Sequence, residues 1–94
     1  MAQAQKRIHY VVEGGVQGVG YRYFTRKHAT ARDLTGWVRN TQDEKVEGEA
    51  QGEKNKITDF LKELNKGPSH ATVSKVNHEQ RDVVEGEAAF EVRN

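Results

Sequence analysis

Ile8, Tyr10 and Val12 alternate with His9 and Val11 before a cluster of glycines begins. A period of two predicts a strand, here ending near Glu13. The residues before it, 1–6, carry no pattern and are expected to form a loose N-terminal tail. After the glycines, residues 22–33 contain neither Gly nor Pro, and Phe24, His28 and Ala31 fall near one helical face. That predicts a helix ending before Gly36. Residues 36–40 form a short strand with Trp37 and Arg39 on one face and Val38 on the other. Residues 41–45 are polar and turn-like, and Val46, Gly48 and Ala50 then alternate with Glu47, Glu49 and Gln51. The result is a hairpin. Ile57, Phe60, Leu61 and Leu64 form the clearest helical stripe, with Lys62 and Lys66 near its end and Gly67-Pro68 to stop it. Val73 and Val76 mark a further strand, and Phe90 and Val92 a last one.

This order predicts an α+β domain with two helices packed on one face of a mainly antiparallel five-stranded sheet. The ferredoxin-like βαββαβ sandwich is the familiar solution, with one short strand added. That architecture hosts many unrelated functions and decides none of them.

Composition narrows the field. A chain of 94 residues suits one domain, spanning 1–94. Its 15 Lys and Arg stand against 14 Asp and Glu, interspersed in sign. A dedicated nucleic-acid binder needs an excess of basic charge along the phosphates, so none is expected. Without cysteine there is no disulfide, thiolate nucleophile or cysteine-based zinc site. No apolar run reaches signal-peptide or membrane-spanning length, so a cytoplasmic protein without a membrane partner is expected. His9, His28, His70 and His78 show no metal-ligand spacing.

Chemistry concentrates between the first strand and the first helix. Four of the seven residues in 14–20 are glycine. Glycine lets a ligand approach the backbone and permits positive φ. A run of such residues aims several N–H groups into one concavity, and the helix start that follows adds more, with a positive dipole end. Arg22 stands at that junction, where its planar guanidinium can take two phosphate oxygens together. Two better-known phosphate loops do not fit. Gly15 and Gly20 have Walker A spacing, but Tyr21-Arg22 stands where Lys and Ser or Thr are required. The glycine order is also wrong for a dinucleotide fingerprint, and the chain is too short for a doubly wound sheet.

Asn40 ends the strand after the first helix. A helix of about 12 residues rises about 18 Å, and a strand of about six returns about 20 Å. The chain thus comes back to the level of the loop. There the Asn40 amide either holds a water or caps the hairpin turn, and the sequence leaves both open.

Together these segments resemble acylphosphatases. The first family signature appears here as Val12-Glu13-Gly14-Gly15-Val16-Gln17-Gly18-Val19-Gly20-Tyr21-Arg22. The second appears as Gly36-Trp37-Val38-Arg39-Asn40, followed by Val46 and Gly52. The resemblance implies hydrolysis of a carboxyl–phosphate anhydride to a carboxylate and inorganic phosphate, with no metal or cofactor. It implies that the loop residues Gly15, Val16, Gln17, Gly18, Val19 and Gly20 bind the phosphoryl group together with Arg22, and that Asn40 orients the attacking water. The implied partners are a small acyl phosphate and inorganic phosphate, and a monomer is the family's default. Tyr21 replaces the usual Phe, Gly15 fills a variable position often held by a larger residue, and Glu44 falls where the hairpin usually has Gly. If position 44 needs positive φ, a non-glycine residue there is strained by about 1–2 kcal/mol.

Other functions fit less well. Gly15-Val16-Gln17-Gly18 matches the loop of a KH module, but that loop joins two helices. An RNA-recognition motif shares the element order but needs aromatics on its third strand, where residues 45–52 have none. A non-catalytic domain of the same family is the serious competitor, and the presence of both Arg22 and Asn40 favours an enzyme.

Overall fold

The computed structural model describes residues 4–94. The elements run β1 (Gln5–Gly15), α1 (Tyr21–Ala31), β2 (Thr35–Asn40), β3 (Val46–Glu53), α2 (Lys54–Lys66), β4 (Thr72–Arg81) and β5 (Phe90–Arg93). The sheet order is β4-β1-β3-β2-β5. β1 pairs antiparallel with both β3 and β4, and β2 pairs antiparallel with β3. β5 lies parallel to β2. Each helix therefore links two parallel strands with a third strand between them, the split βαβ arrangement of the expected ferredoxin-like fold.

Alternation selects the buried face. Ile8, Tyr10 and Val12 of β1 pair with Ala50, Gly48 and Val46 of β3, and all five side-chain-bearing positions are buried. Gly48 leaves room for the Tyr10 ring, whose hydroxyl donates to the Trp37 carbonyl oxygen at 3.1 Å. Ile57, Phe60 and Leu64 cover this face from α2. Phe60 meets Tyr10 edge-on at 5.6 Å and Phe90 at 6.2 Å, arrangements that add to the burial of each ring.

Two differences from the sequence reading concern local structure. β1 starts at Gln5 and reaches Gly15, so residues 5 and 6 belong to a strand rather than a loose tail. Residues 1–3 lie outside the described residues. The buried stripe of α1 is Tyr21, Thr25 and Ala29, not Phe24, His28 and Ala31. Thr25 can be buried because its hydroxyl donates to the Tyr21 carbonyl oxygen at 2.8 Å, one turn back. Its polarity concealed the stripe from a reading based on apolar residues alone.

At the hairpin, Glu44 has φ of 67°, so the position does require the left-handed region. Thr41 caps this turn: its Oγ1 accepts from the Lys45 N–H at 2.9 Å.

Candidate active site

Strand directions bring the site together. β1 and β2 are parallel with β3 between them, so their C-terminal ends share one edge of the sheet. β5, parallel to β2, ends there as well. The loop after β1, Asn40 at the end of β2 and Arg93 at the end of β5 are therefore neighbours despite their separation in sequence.

The loop begins with a bulge. The β1–β4 register shifts between Glu13 and Gly14. A Cβ at Gly14 would lie 2.1 Å from the Thr72 carbonyl oxygen, so the crossing of these strands excludes any side chain there. Val16 is buried and Val19 packs against the core, which pins the loop from beneath. Gly18 and Gly20 both have φ of 75°, and a Cβ at either would meet nothing within 4 Å. Their conformation, not crowding, requires glycine. Gly20 is the N-cap of α1 and provides no side-chain cap. Residues 17–20 form a turn, and among the described residues no well-formed bond to a backbone carbonyl engages the amides of residues 17–23. These donors are left to solvent or to a ligand.

Gln17 has a separate task. Its amide nitrogen donates to the Thr41 carbonyl oxygen at 2.9 Å and to that of Lys45 at 2.8 Å. This bond pair staples the loop to the hairpin whose first strand ends in Asn40. Tyr21 anchors the other flank. Its ring is buried, and its hydroxyl donates to the Leu64 carbonyl oxygen at 2.6 Å, in the last turn of α2. Burial pushes its phenol well above the ordinary range, so it remains a donor. The Tyr-for-Phe departure thus keeps the packing and adds a bond between the helices.

A cavity of about 100 Å³ opens at the loop, lined by Val16, Gly18, Gly20, Tyr21, Arg22, Tyr23 and Asn40. One water occupies about 30 Å³ of liquid, so the space suits a tetrahedral oxyanion rather than a large ligand. Gly15 and Gln17 line a separate hollow beside it with Gly14, Val16 and Glu44. Arg22 donates from Nη1 to the Arg93 carbonyl oxygen at 2.8 Å and to Asn94 Oδ1 at 3.4 Å. That fixes the guanidinium plane while Nε and Nη2 remain available. The Asn40 side chain has no hydrogen-bond partner among the described residues. Since Thr41 caps the turn, the Asn40 amide is not engaged there.

A larger hollow of about 240 Å³ lies on the open face of the sheet, lined by His9, Val11, Asn77, His78 and Glu79. It offers neither a free run of amides nor an arginine. Among the described residues, no group of three or more His, Asp or Glu could hold a metal ion. Sequence reasoning did not single out Tyr23, although its place after Arg22 in the first helical turn was a usable signal. The contact of Arg22 with Arg93, 71 positions away, had no local signal.

Known proteins share this fold. A family model described as Acylphosphatase matches residues 8–92. A Geobacillus thermodenitrificans protein named Acylphosphatase is 48% identical over 87 residues, covering 93% of each chain. The crystal structure of acylphosphatase from Bacillus subtilis superposes with a TM-score of 0.91 at 32% identity, covering 95% of this chain and 99% of that one. The structure of an acylphosphatase from Coxiella burnetii gives 0.88 at 44% identity, covering 95% and 93%. The match extends from the first core strand to the last, and the chain belongs to the acylphosphatase family.

Proposed function

We infer that Arg22 and the loop backbone bind the phosphoryl group of an acyl phosphate and that Asn40 orients the water that attacks it. The chain is an acylphosphatase, a hydrolase giving a carboxylate and inorganic phosphate. One observation supports the assignment of roles: the glycine loop, the tethered Arg22 and the unpartnered Asn40 carboxamide meet at a single oxyanion-sized cavity.

Phosphoryl transfer requires mainly positioning and charge stabilisation. The water oxygen bonds to phosphorus as the bond from phosphorus to the carboxyl oxygen breaks, and the electron pair leaves on the carboxylate. The conjugate acid of such a leaving group has a pKa of about 4, so it departs without a general acid. Arg22, the loop amides and the start of α1 stabilise charge on the equatorial oxygens. Asn40 is not a base. The water's proton passes to a phosphoryl oxygen of the substrate, and the reaction proceeds without a metal or cofactor.

The enzyme acts as a cytoplasmic monomer on small molecules, with neither nucleic acid nor membrane as partner. Balanced, interspersed charge supports this reading, as does the restriction of exposed large hydrophobic side chains to Tyr23, Val83 and Val84 among the described residues. No helix of the described residues is long and apolar enough to cross a membrane.

The test is phosphate release from benzoyl phosphate in EDTA. Arg22→Ala removes charge-assisted hydrogen bonds worth roughly 1.5–3 kcal/mol each, so kcat/KM falls by at least about a hundredfold and phosphate inhibition is lost. Asn40→Ala lowers kcat by a similar factor and leaves phosphate inhibition within about threefold. Equal loss of turnover and phosphate binding in Asn40→Ala refutes the division of roles. Phosphate binding without turnover in the unaltered protein makes the chain a binding module. A steep dependence of rate on an enzyme group near neutral pH refutes proton transfer to the substrate.

A further inference from the structure

The phosphoryl cavity leaves the acyl part of the substrate unaddressed. Tyr23 borders that cavity with Arg22 and Asn40, yet its side chain is 58% exposed, the largest exposure among the large hydrophobic residues of the described chain. It forms no hydrogen bond that holds the fold. The guanidinium of Arg26 lies over its ring, 5.3 Å from the centroid.

Arg26 is unusual among the arginines of this chain. Arg7 pairs with Glu49 and Glu87, Arg39 with Glu47, Arg81 with Glu79 and Arg93 with Glu91. Arg32 bonds to His28, and Arg22 to the Arg93 carbonyl oxygen. Arg26 has no carboxylate or carbonyl partner among the described residues and rests on the Tyr23 ring alone. Its helix contains no acidic residue at all, and Lys27 follows it. A cation is therefore presented one helical turn beyond Arg22 without local neutralisation. Helical side chains lean toward the N-terminus, and Arg26 reaches back over Tyr23, which itself borders the phosphoryl cavity. Four residues of helix rise about 6 Å, the span of a short carbon chain between two anionic ends.

We propose that Tyr23 and Arg26 form the acyl subsite and favour acyl phosphates whose acyl group carries a second carboxylate, the mono-phosphoric anhydrides of short dicarboxylic acids. The carbon chain passes beside the Tyr23 ring, whose face Arg26 covers, and Arg26 takes the distal carboxylate. This proposal rests on the hydrolytic reading of the Arg22 cavity and names its substrate class.

The experiment compares kcat/KM for succinyl phosphate and acetyl phosphate in the unaltered protein and in Arg26→Gln, Arg26→Lys and Tyr23→Ala. The unaltered protein favours succinyl phosphate by about fivefold at low salt, the worth of a partly exposed ion pair, and added KCl narrows the ratio. Arg26→Gln brings the ratio close to one, Arg26→Lys retains most of it, and Tyr23→Ala reduces it because Arg26 loses its platform. No preference in the unaltered protein overturns the proposal. So does a parallel loss on both substrates in Arg26→Gln with the ratio preserved, which marks a structural role. Absence of turnover on both substrates in the unaltered protein overturns the hydrolytic reading itself and the acyl subsite with it.

Discussion

Replacing Glu44 by Gly should stabilise this protein. Glu44 sits at φ of 67°, in the left-handed region where the Cβ of an L-residue crowds the following carbonyl oxygen. That costs about 1–2 kcal/mol. The turn fixes the conformation from both sides. The Thr41 N–H donates to the Lys45 carbonyl oxygen at 2.9 Å, and the Thr41 carbonyl oxygen accepts from Glu44 at 3.4 Å. The Glu44 side chain is exposed and has no bonding partner among the described residues, so its removal sacrifices no contact. Against the relieved strain stands the extra freedom glycine gives the unfolded chain, about 0.4–1 kcal/mol. The net gain is about 1 kcal/mol, which raises the unfolding midpoint of a domain this size by about 4–8 °C. Urea titration and calorimetry measure it. Glu44→Ala retains the Cβ and should gain almost nothing, which separates backbone strain from the loss of a charge. Asp33, the other non-glycine at positive φ (56°) among the described residues, should gain less when changed to Gly, because Asp tolerates this region better than Glu. Equal stabilisation by Glu44→Ala and Glu44→Gly, or no gain from Glu44→Gly, refutes the reasoning.

Gln17→Ala removes both bonds between the loop and the hairpin. It should cost about 1–2 kcal/mol in urea unfolding and lower kcat more than phosphate affinity, since Asn40 loses its register with the loop. Tyr21→Phe keeps the ring but leaves the Leu64 carbonyl oxygen unpartnered, for a loss of about 1–2 kcal/mol with catalysis little changed. Stability in acid should depend on Glu87. Burial opposes its ionisation, but hydrogen bonds from Arg7 and Thr35 and the charge of Arg7 prevail and hold its pKa below the usual carboxylate range. With a depressed folded value, its contribution is fully present above the unfolded pKa of about 4.3 and is lost as pH falls through the folded one. Urea midpoints measured from pH 7 to pH 2 should therefore fall less steeply below pH 4 in Glu87→Gln than in the unaltered protein; identical slopes count against this coupling.

The sequence by itself determined the elements and singled out the glycine loop, Arg22 and Asn40, which the fold brings to one cavity. Alternation at Ile8, Tyr10 and Val12 and the stripe Ile57, Phe60 and Leu64 were legible because burial on one face imposes a period on the chain. Glycine clustering before Arg22 was legible because the loop adopts positive φ at Gly14, Gly18 and Gly20, conformations few other residues supply. The lengths of α1 and β2 even brought Asn40 to the loop. Tertiary structure decided what depends on partners distant in sequence. It buried Thr25 in place of a more apolar neighbour, because a local hydrogen bond satisfied the hydroxyl. It turned the Gln17 side chain to the hairpin and gave the turn cap to Thr41, which left the Asn40 amide unengaged beside the cavity. It set β5 parallel to β2, so that the carbonyl of Arg93 could hold Arg22 in plane. Periodicity records which face a residue presents; only the folded chain specifies which atoms that face meets.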